Sequence, residues 1–193
     1  YDSLSIIRYG DQDERNWIIY EEQIQPISDI PIIEMAGNHD MFGVKSVLSS
    51  KNCIIDYSHS FTRQNTKTTE DFILHSFQIG QSKTNVIVIN PFKFPTAHPP
   101  LHLYVRYSEH LLDRLEDELK NYSGKSIIAG HYPVGSIHSK KSSSGHRFTD
   151  IIGSRDDVLV YLSGHSHPVE PEIYRHGKGG VEILGPASFS DSN

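Results

Sequence analysis

The sequence predicts a layered α/β domain, and three observations support that fold class. Short apolar stretches rich in β-branched residues alternate with amphipathic stretches of helical period. Several of the apolar stretches end directly in glycine-containing polar turns. Of the 193 residues, 36% are hydrophobic and 22% are charged, a balance typical of globular chains rather than disordered ones. Since no fixed-period repeat occurs, we expect a single domain over residues 1–193.

The first half of the chain predicts one helix and three strands. Residues 13–25 place apolar side chains at helical spacing and precede Pro26, which favours a helix that ends there. Residues 30–36 are apolar and lead straight into a glycine turn, as a buried strand would. Residues 72–78 and 85–89 predict a hairpin joined by a polar turn.

The middle of the chain predicts a long loop and an amphipathic helix. Residues 91–107 hold four prolines among aromatic residues, which favours an irregular loop. Residues 108–120 place four leucines on one helical face, with Ser108 as a potential N-cap.

The rest of the chain predicts further strands that end in polar motifs. Residues 125–129 and 157–162 are apolar and β-branched, so each predicts a short strand. The Ser- and Lys-rich residues 140–145 predict a mobile loop, and residues 148–152 a short helical turn. Residues 173–184 predict a terminal hairpin.

Charge and cysteine content exclude several functional classes. The 18 basic and 24 acidic residues give a net charge of −6, so no broad basic field is available to bind nucleic acid. No apolar run approaches the roughly 18 residues that a membrane helix needs. The single cysteine, Cys53, excludes an intrachain disulfide and a cysteine-based zinc site, and we expect it to be a small buried apolar residue.

Composition does not account for 12 histidines, several of which lie in glycine-flanked motifs. Three predicted strands are followed by such a motif: Gly37-Asn38-His39-Asp40, Gly130-His131 and Gly164-His165-Ser166-His167. Because α/β sheets build ligand sites at the carboxyl edge of their strands, we expect these side chains to meet there. Imidazole nitrogens with an amide oxygen suit Mn, Fe or Zn better than Ca or Mg alone.

The three motifs, in this order, resemble the sequence blocks of the calcineurin-like metallophosphoesterases. That resemblance implies a layered β-sandwich flanked by helices, and two divalent metal ions. It makes Asn38, His131 and His165 ligands of one metal and His167 a ligand of the other. His39 would face the scissile phosphate, and Asp40 would orient His39.

The resemblance also implies a reaction. Two metal ions would neutralise the oxygens of a phosphate ester and generate a metal-bound hydroxide that attacks phosphorus. The implied function is therefore hydrolysis of a phosphomonoester or phosphodiester. His39 could donate a hydrogen bond to the phosphate and a proton to the leaving oxygen.

Within this superfamily, the chain resembles the phosphoesterase domains of the transmembrane protein 62 type. The resemblance lies in Trp17-Ile18-Ile19-Tyr20, in Met41-Phe42-Gly43-Val44 after the first motif, and in Tyr161-Leu162-Ser163 before the last. It implies a parent protein with membrane helices outside this chain and an extracytoplasmic domain. The glycosylation sequon Asn121-Tyr122-Ser123 fits that location.

Two blocks of the family pattern are missing from the start of the chain. No Asp-x-His precedes the first motif, and Gly10-Asp11-Gln12-Asp13-Glu14 departs from Gly-Asp-x-x-Asp/Asn at Glu14. We therefore interpret the chain as the larger, C-terminal part of the domain. The remaining metal ligands are expected upstream of Tyr1, and this chain alone is expected to hold metal weakly and to have little activity.

The sequence is also compatible with functions other than phosphate-ester hydrolysis. The fold could serve as a protein-binding scaffold with little or no catalysis. The residues from Gly164 to Pro168 imitate a serine nucleophile elbow, but neither the proline nor the following residues suit the helix that an elbow requires. Lys140, Lys141 and Arg147 could contact a substrate phosphate or form a solvated basic loop. His98, His102 and His138 could line the substrate side, and the other histidines are expected to be surface residues.

Overall fold

The computed structural model describes residues 14–30, 32, 34–37, 40, 53–57, 73–81, 83–90, 104–166, 168–177 and 179–185. The chain divides into two compact units, one formed by residues 1–72 and 94–103 and the other by residues 73–93 and 104–193. The expectation of a single domain stays a prediction.

In the first unit, the described residues form two helices. Helix α1 spans Glu14–Ile24 and continues into a 3-10 helix, Gln25–Ile27, whose proline lies in the first turn. Helix α2 spans Cys53–Tyr57 and buries Cys53, as expected from its apolar character. The Tyr57 hydroxyl donates a hydrogen bond of 2.5 Å to Glu14 Oε1. The helix predicted over residues 13–25 is therefore confirmed.

The strand predicted over residues 30–36 is wrong for the part of it that the structure describes. Ile30 lies in a bend, while Ile32 and residues 34–37 have irregular backbone. The sequence offers a physical reason, because proline at position 31 has no N–H to donate to a strand ladder. Apolar character alone therefore does not make this stretch a strand.

The second unit is built on a six-stranded sheet in the order β1-β2-β4-β6-β8-β7. The strands are β1 Leu74–Ile79, β2 Thr84–Ile89, β4 Ser126–Gly130, β6 Val158–Ser163, β7 Glu172–His176 and β8 Gly180–Leu184. The central strands β2, β4, β6 and β8 run parallel, and the edge strands β1 and β7 are antiparallel to their neighbours. The mixed α/β class is thus shown, and both predicted hairpins are confirmed.

The long helix α3, Glu109–Asn121, covers part of this unit and begins where the sequence predicts. The side chain of Ser108 accepts a hydrogen bond of 3.2 Å from Leu111 N, which satisfies one of the unpaired N–H groups of the first turn. Its buried side chains are Leu111, Leu112, Leu115 and Leu119. Each buried leucine contributes about 1.5–3 kcal/mol relative to an exposed one, so packing rather than helix propensity fixes α3.

A second, two-stranded sheet pairs β3, Val105–Tyr107, in parallel with β5, Ile137–Ser139. This corrects the prediction that residues 91–107 form one irregular loop, because the end of that stretch is a strand; residues 91–103 lie outside the described residues. Helix α4, Phe148–Ser154, extends the predicted helical turn and begins with Arg147 N donating to Asp150 Oδ2 at 2.8 Å. Across the described ranges, no helix is long and apolar enough to cross a membrane.

Candidate metal centre

The two later histidine motifs follow neighbouring parallel strands. Strands β4 and β6 are paired, with Ala129 opposite Leu162. His131 comes directly after β4, and His165 comes two residues after the end of β6. Since parallel strands end at the same edge of a sheet, the fold places both imidazoles at that edge.

The two imidazole rings approach each other through one nitrogen of each ring. His131 Nε2 lies 3.1 Å from His165 Nδ1, and the ring centroids are 5.0 Å apart with planes at 72°. Two nitrogens that bind one ion at about 2.1 Å, with an angle of about 90–110° between them, lie about 3.0–3.4 Å apart. In the absence of metal, one ring can donate a hydrogen bond to the other at this distance. The same separation fits a shared divalent ion, which would need the lone pair of each of these two nitrogens.

The backbone at His165 adopts a conformation that non-glycine residues rarely take. Its φ is +73°, and Ser166 N donates to Gly164 O at 2.9 Å, which closes a three-residue turn around the histidine. Gly164 N in turn donates to His131 O at 2.9 Å. Such a conformation costs of order 1–3 kcal/mol and persists where the surroundings impose it, so the contacts with the His131 segment hold His165 in place.

Tyrosines anchor the segment that carries His131. The buried Tyr161 hydroxyl donates to Tyr132 O at 2.6 Å, one residue beyond His131. Burial, reinforced by the neighbouring Tyr107, raises the pKa of Tyr161 well above its usual value, so the phenol stays protonated and can donate. Burial likewise raises the pKa of Tyr132, whose ring lies against His165 with centroids 4.6 Å apart.

Gly130 lies where this anchor passes closest to the backbone. A Cβ atom at Gly130 would lie 2.6 Å from the Tyr161 hydroxyl and 3.2 Å from that of Tyr107. Both distances are too short for a side chain to be accommodated without movement. The glycine of the Gly130-His131 motif thus packs closely against two tyrosine hydroxyls, and a larger residue would have to displace them.

The chain matches the family model of the calcineurin-like phosphoesterases over residues 6–169, a range that includes all three histidine motifs. The chain belongs to the calcineurin-like phosphoesterase family. Members of this family are hydrolases of phosphate esters that generally bind divalent metals, which agrees with the paired nitrogens of His131 and His165.

The chain is also similar to the Arabidopsis thaliana protein At3g03305, which is named as a candidate metallophosphoesterase. The two are 24% identical over 188 residues, or 89% of this chain. The chain spans about a quarter of the length of that curated relative, of which 24% is covered.

The phosphoesterase motif at residues 37–40 lies in the first unit. Gly37 N donates to Asp40 Oδ2 at 2.8 Å, so the Asp40 carboxylate is hydrogen-bonded to the first residue of the motif. Nearby in sequence, Glu34 Oε1 accepts a 2.5 Å hydrogen bond from the Tyr20 hydroxyl. Burial and this hydrogen bond raise the pKa of Tyr20, so that phenol stays neutral.

The predicted site residues divide into three sets. The structure brings together His131 and His165 in the second unit, and it describes Asp40 within the first. Asn38, His39 and His167 lie outside the described residues, and so does the segment from Gly10 to Asp13. Where the structure is described, no group of three or more His, Cys, Asp or Glu side chains forms a metal site.

Sequence reasoning did not single out two buried polar residues of this chain. Asn90 is fully buried directly after β2, whose last residue is paired with Gly130. Glu182 is buried on β8 and accepts hydrogen bonds from Val134 N and Ser163 Oγ. The sequence signal for Asn90 is a polar residue at the end of an apolar strand. Glu182 gives no such signal, because it alternates with apolar neighbours and so resembles an outward-facing strand residue.

Proposed function

We propose that this chain is the catalytic part of a dinuclear-metal-dependent phosphoesterase that hydrolyses a phosphomonoester or a phosphodiester. The observation that carries the proposal is the 3.1 Å approach of His131 Nε2 to His165 Nδ1 in a chain of this family. A packing accident would not need the strained backbone of His165, whose φ is +73°.

In this proposal, His131 and His165 hold one divalent ion together with Asn38, and His167 holds a second. When bound, the ions would neutralise phosphate oxygens and activate water for attack. Nitrogen and amide oxygen donors without thiolate suit Mn, Fe or Zn. Tyr132 packs its ring on His165 and excludes water from one side of that imidazole, which supports a defined ring orientation.

The proposed roles of His39 and Asp40 concern the leaving group. His39 would donate a hydrogen bond to the phosphate and a proton to the departing oxygen. Asp40 accepts a hydrogen bond from Gly37 N, so its carboxylate is held against the residue that begins the motif. The carboxylate thus acts by positioning, and we retain the proposal that it orients the histidine.

We further propose that the parent protein is of the transmembrane protein 62 type, with this part of the chain outside the cytoplasm. Residues 161–163 before the last motif and the sequon at Asn121 support this assignment. Asn121 is exposed at the last residue of α3, where a glycan can be accommodated. When the protein is expressed through the secretory pathway, its mass should fall after treatment with an amidase that removes N-linked glycans. The mass of the Asn121→Gln variant should not change on this treatment. A wild type without a glycan would contradict the proposed location.

Phosphate-ester hydrolysis by the full-length protein tests the proposed function. Mn²⁺ is added, and p-nitrophenyl phosphate and bis-p-nitrophenyl phosphate report monoesterase and diesterase activity. We expect His39→Ala and His131→Ala each to lower kcat by at least about 100-fold, the scale of lost acid catalysis or of a lost metal ligand.

His110→Ala is the matched control, because His110 is an exposed histidine in the first turn of α3 and lies outside the histidine motifs. It should retain wild-type activity. Wild-type rates in both His39→Ala and His131→Ala would contradict the mechanism. Metal binding without any hydrolysis would instead favour a scaffold that uses the same fold.

A further inference from the structure

We propose that Glu182 is a positioning residue that holds the His131 and His165 segments together for metal binding. The inference rests on the proposed function only in naming the metal as what the two histidines bind. Glu182 lies in the middle of β8, whose neighbours are β6 and β7. Glu182 is not proposed to contact phosphate or metal directly.

One carboxylate oxygen joins the two histidine segments. Glu182 Oε1 accepts a hydrogen bond of 2.9 Å from Val134 N, three residues after His131. The same oxygen accepts one of 2.7 Å from Ser163 Oγ, two residues before His165. A single buried atom therefore fixes the exit of one histidine segment and the entry of the other.

The second oxygen of Glu182 also has a hydrogen-bonding partner. Glu182 Oε2 lies 2.9 Å from His176 Nε2 on the paired strand β7. The Glu182 side chain is only 3% exposed and that of His176 is 20% exposed. A carboxylate so far from water is stable only when both oxygens have hydrogen-bonding partners, and here each oxygen has at least one.

The arrangement is more specific than packing requires. Glu182 shares its face of β8 with Gly180 and Leu184, which are also buried, so an apolar residue could be buried at this position. It would leave Val134 N and the Ser163 hydroxyl without their acceptor. The Val134 N–H is the first backbone donor of the 3-10 helix Val134–Ser136. Loss of its acceptor on Glu182 would free the end of the His131 segment.

The test compares Glu182→Ala with Glu182→Gln in the full chain. Zn²⁺ affinity is measured by calorimetry, and NMR follows the ring signals of His131 and His165 and the exchange of the Val134 amide. We expect Glu182→Ala to weaken Zn²⁺ binding by about 10–100-fold, as loss of a group that orients ligands does. Its Val134 amide should also exchange faster. Glutamine keeps an acceptor at Oε1, so Glu182→Gln should retain most of the affinity.

Leu115→Ala controls for a merely structural role. Leu115 is fully buried on α3, so the change destabilises the fold, yet the folded protein should keep wild-type Zn²⁺ affinity. Equal losses in Glu182→Ala and Leu115→Ala would overturn the proposal, as would wild-type affinity and ring signals in Glu182→Ala. A glutamine variant as impaired as the alanine variant would also overturn it.

Two further outcomes are decided by other measurements. If Glu182→Ala does not fold, Ser163→Ala removes one of the two hydrogen bonds and should weaken Zn²⁺ binding in the same direction; an unchanged affinity would overturn the proposal. If the wild type binds no Zn²⁺, the proposed function fails. The positioning role is then judged in the metal-free protein, where Glu182→Ala must shift both ring signals and speed exchange at Val134.

Discussion

At Gly130 the protein leaves little room for a side chain, because two tyrosine hydroxyls lie close to its backbone. The Tyr161 hydroxyl donates to Tyr132 O at 2.6 Å. A Cβ atom would lie 2.6 Å from that same hydroxyl. The glycine and the tyrosine therefore pack directly against each other, one residue before His131.

Replacement of Gly130 by alanine should lower the free energy of unfolding by about 1–3 kcal/mol, the usual cost of overpacking a core. It should also move His131 away from His165. Urea denaturation measures the first effect, and the His131 ring signal in an NMR spectrum reports the second.

Gly135→Ala is the matched control for that substitution. A Cβ atom at Gly135 would meet nothing within 4 Å, so its stability should stay within about 0.5 kcal/mol of wild type. Equal stability of the Gly130→Ala and Gly135→Ala variants would show that the Tyr161 contact does not constrain the backbone.

At the scale of elements, the segment of residues 140–147 is hydrogen-bonded to the acidic side of α3. Ser143 donates to Asp113 through its backbone N at 2.6 Å and through its hydroxyl at 2.8 Å. Glu116 accepts from the Ser144 hydroxyl at 2.5 Å and lies 2.6 Å from His146 Nδ1. The predicted mobile loop is thus attached to the helix, because its serines find carboxylate acceptors that composition alone did not reveal.

This attachment predicts a dependence on pH. Burial acts to raise the pKa of Glu116, but hydrogen bonds from Ser144, His146 and Ser142 outweigh it and hold the pKa below its usual value. A carboxyl group with a lowered folded-state pKa stabilises the fold fully above its ordinary pKa of 4.5. That contribution is lost as the pH falls through the folded-state value.

Glu116→Gln should therefore be less stable than wild type at about pH 5, and the difference should shrink toward pH 3. Urea denaturation of the two proteins across this range measures it. The exposed Asp156→Asn serves as a charge control without hydrogen bonds to this segment's serines. A stability difference that stays constant or grows as the pH falls would contradict the assignment.

At the scale of the whole molecule, the regular parts were predictable from local signals. Ser108 followed by leucines at helical spacing sets the start of α3, and alternation around a polar turn sets the hairpin of β1 and β2. The positions of His131 and His165 after parallel strands also followed from pattern, since apolar runs that end in glycine mark the carboxyl edge of a sheet.

Other features depend on contacts between distant residues, and the sequence does not encode them locally. Strand β3 exists because Val105–Tyr107 pairs with Ile137–Ser139, although proline-rich sequence precedes it. In the sequence, Glu182 resembles a solvent-facing strand residue. Its burial is possible because it accepts hydrogen bonds from Val134 and Ser163. The strand expected before Gly37 is not formed over the described residues 34–37, and the proline at position 31 removes one donor from that stretch.

In the proposed site, His131 and His165 bind one divalent ion through nitrogens that lie 3.1 Å apart. Titration of the full-length protein with Zn²⁺, followed by NMR of 13C-labelled histidine rings, tests this shared binding. Assignments come from the single alanine variants, and His146, which pairs with Glu116, is the internal reference. Both rings should shift along one shared binding curve before His146 responds. Independent curves for the two rings, or no shift in either, would contradict shared binding.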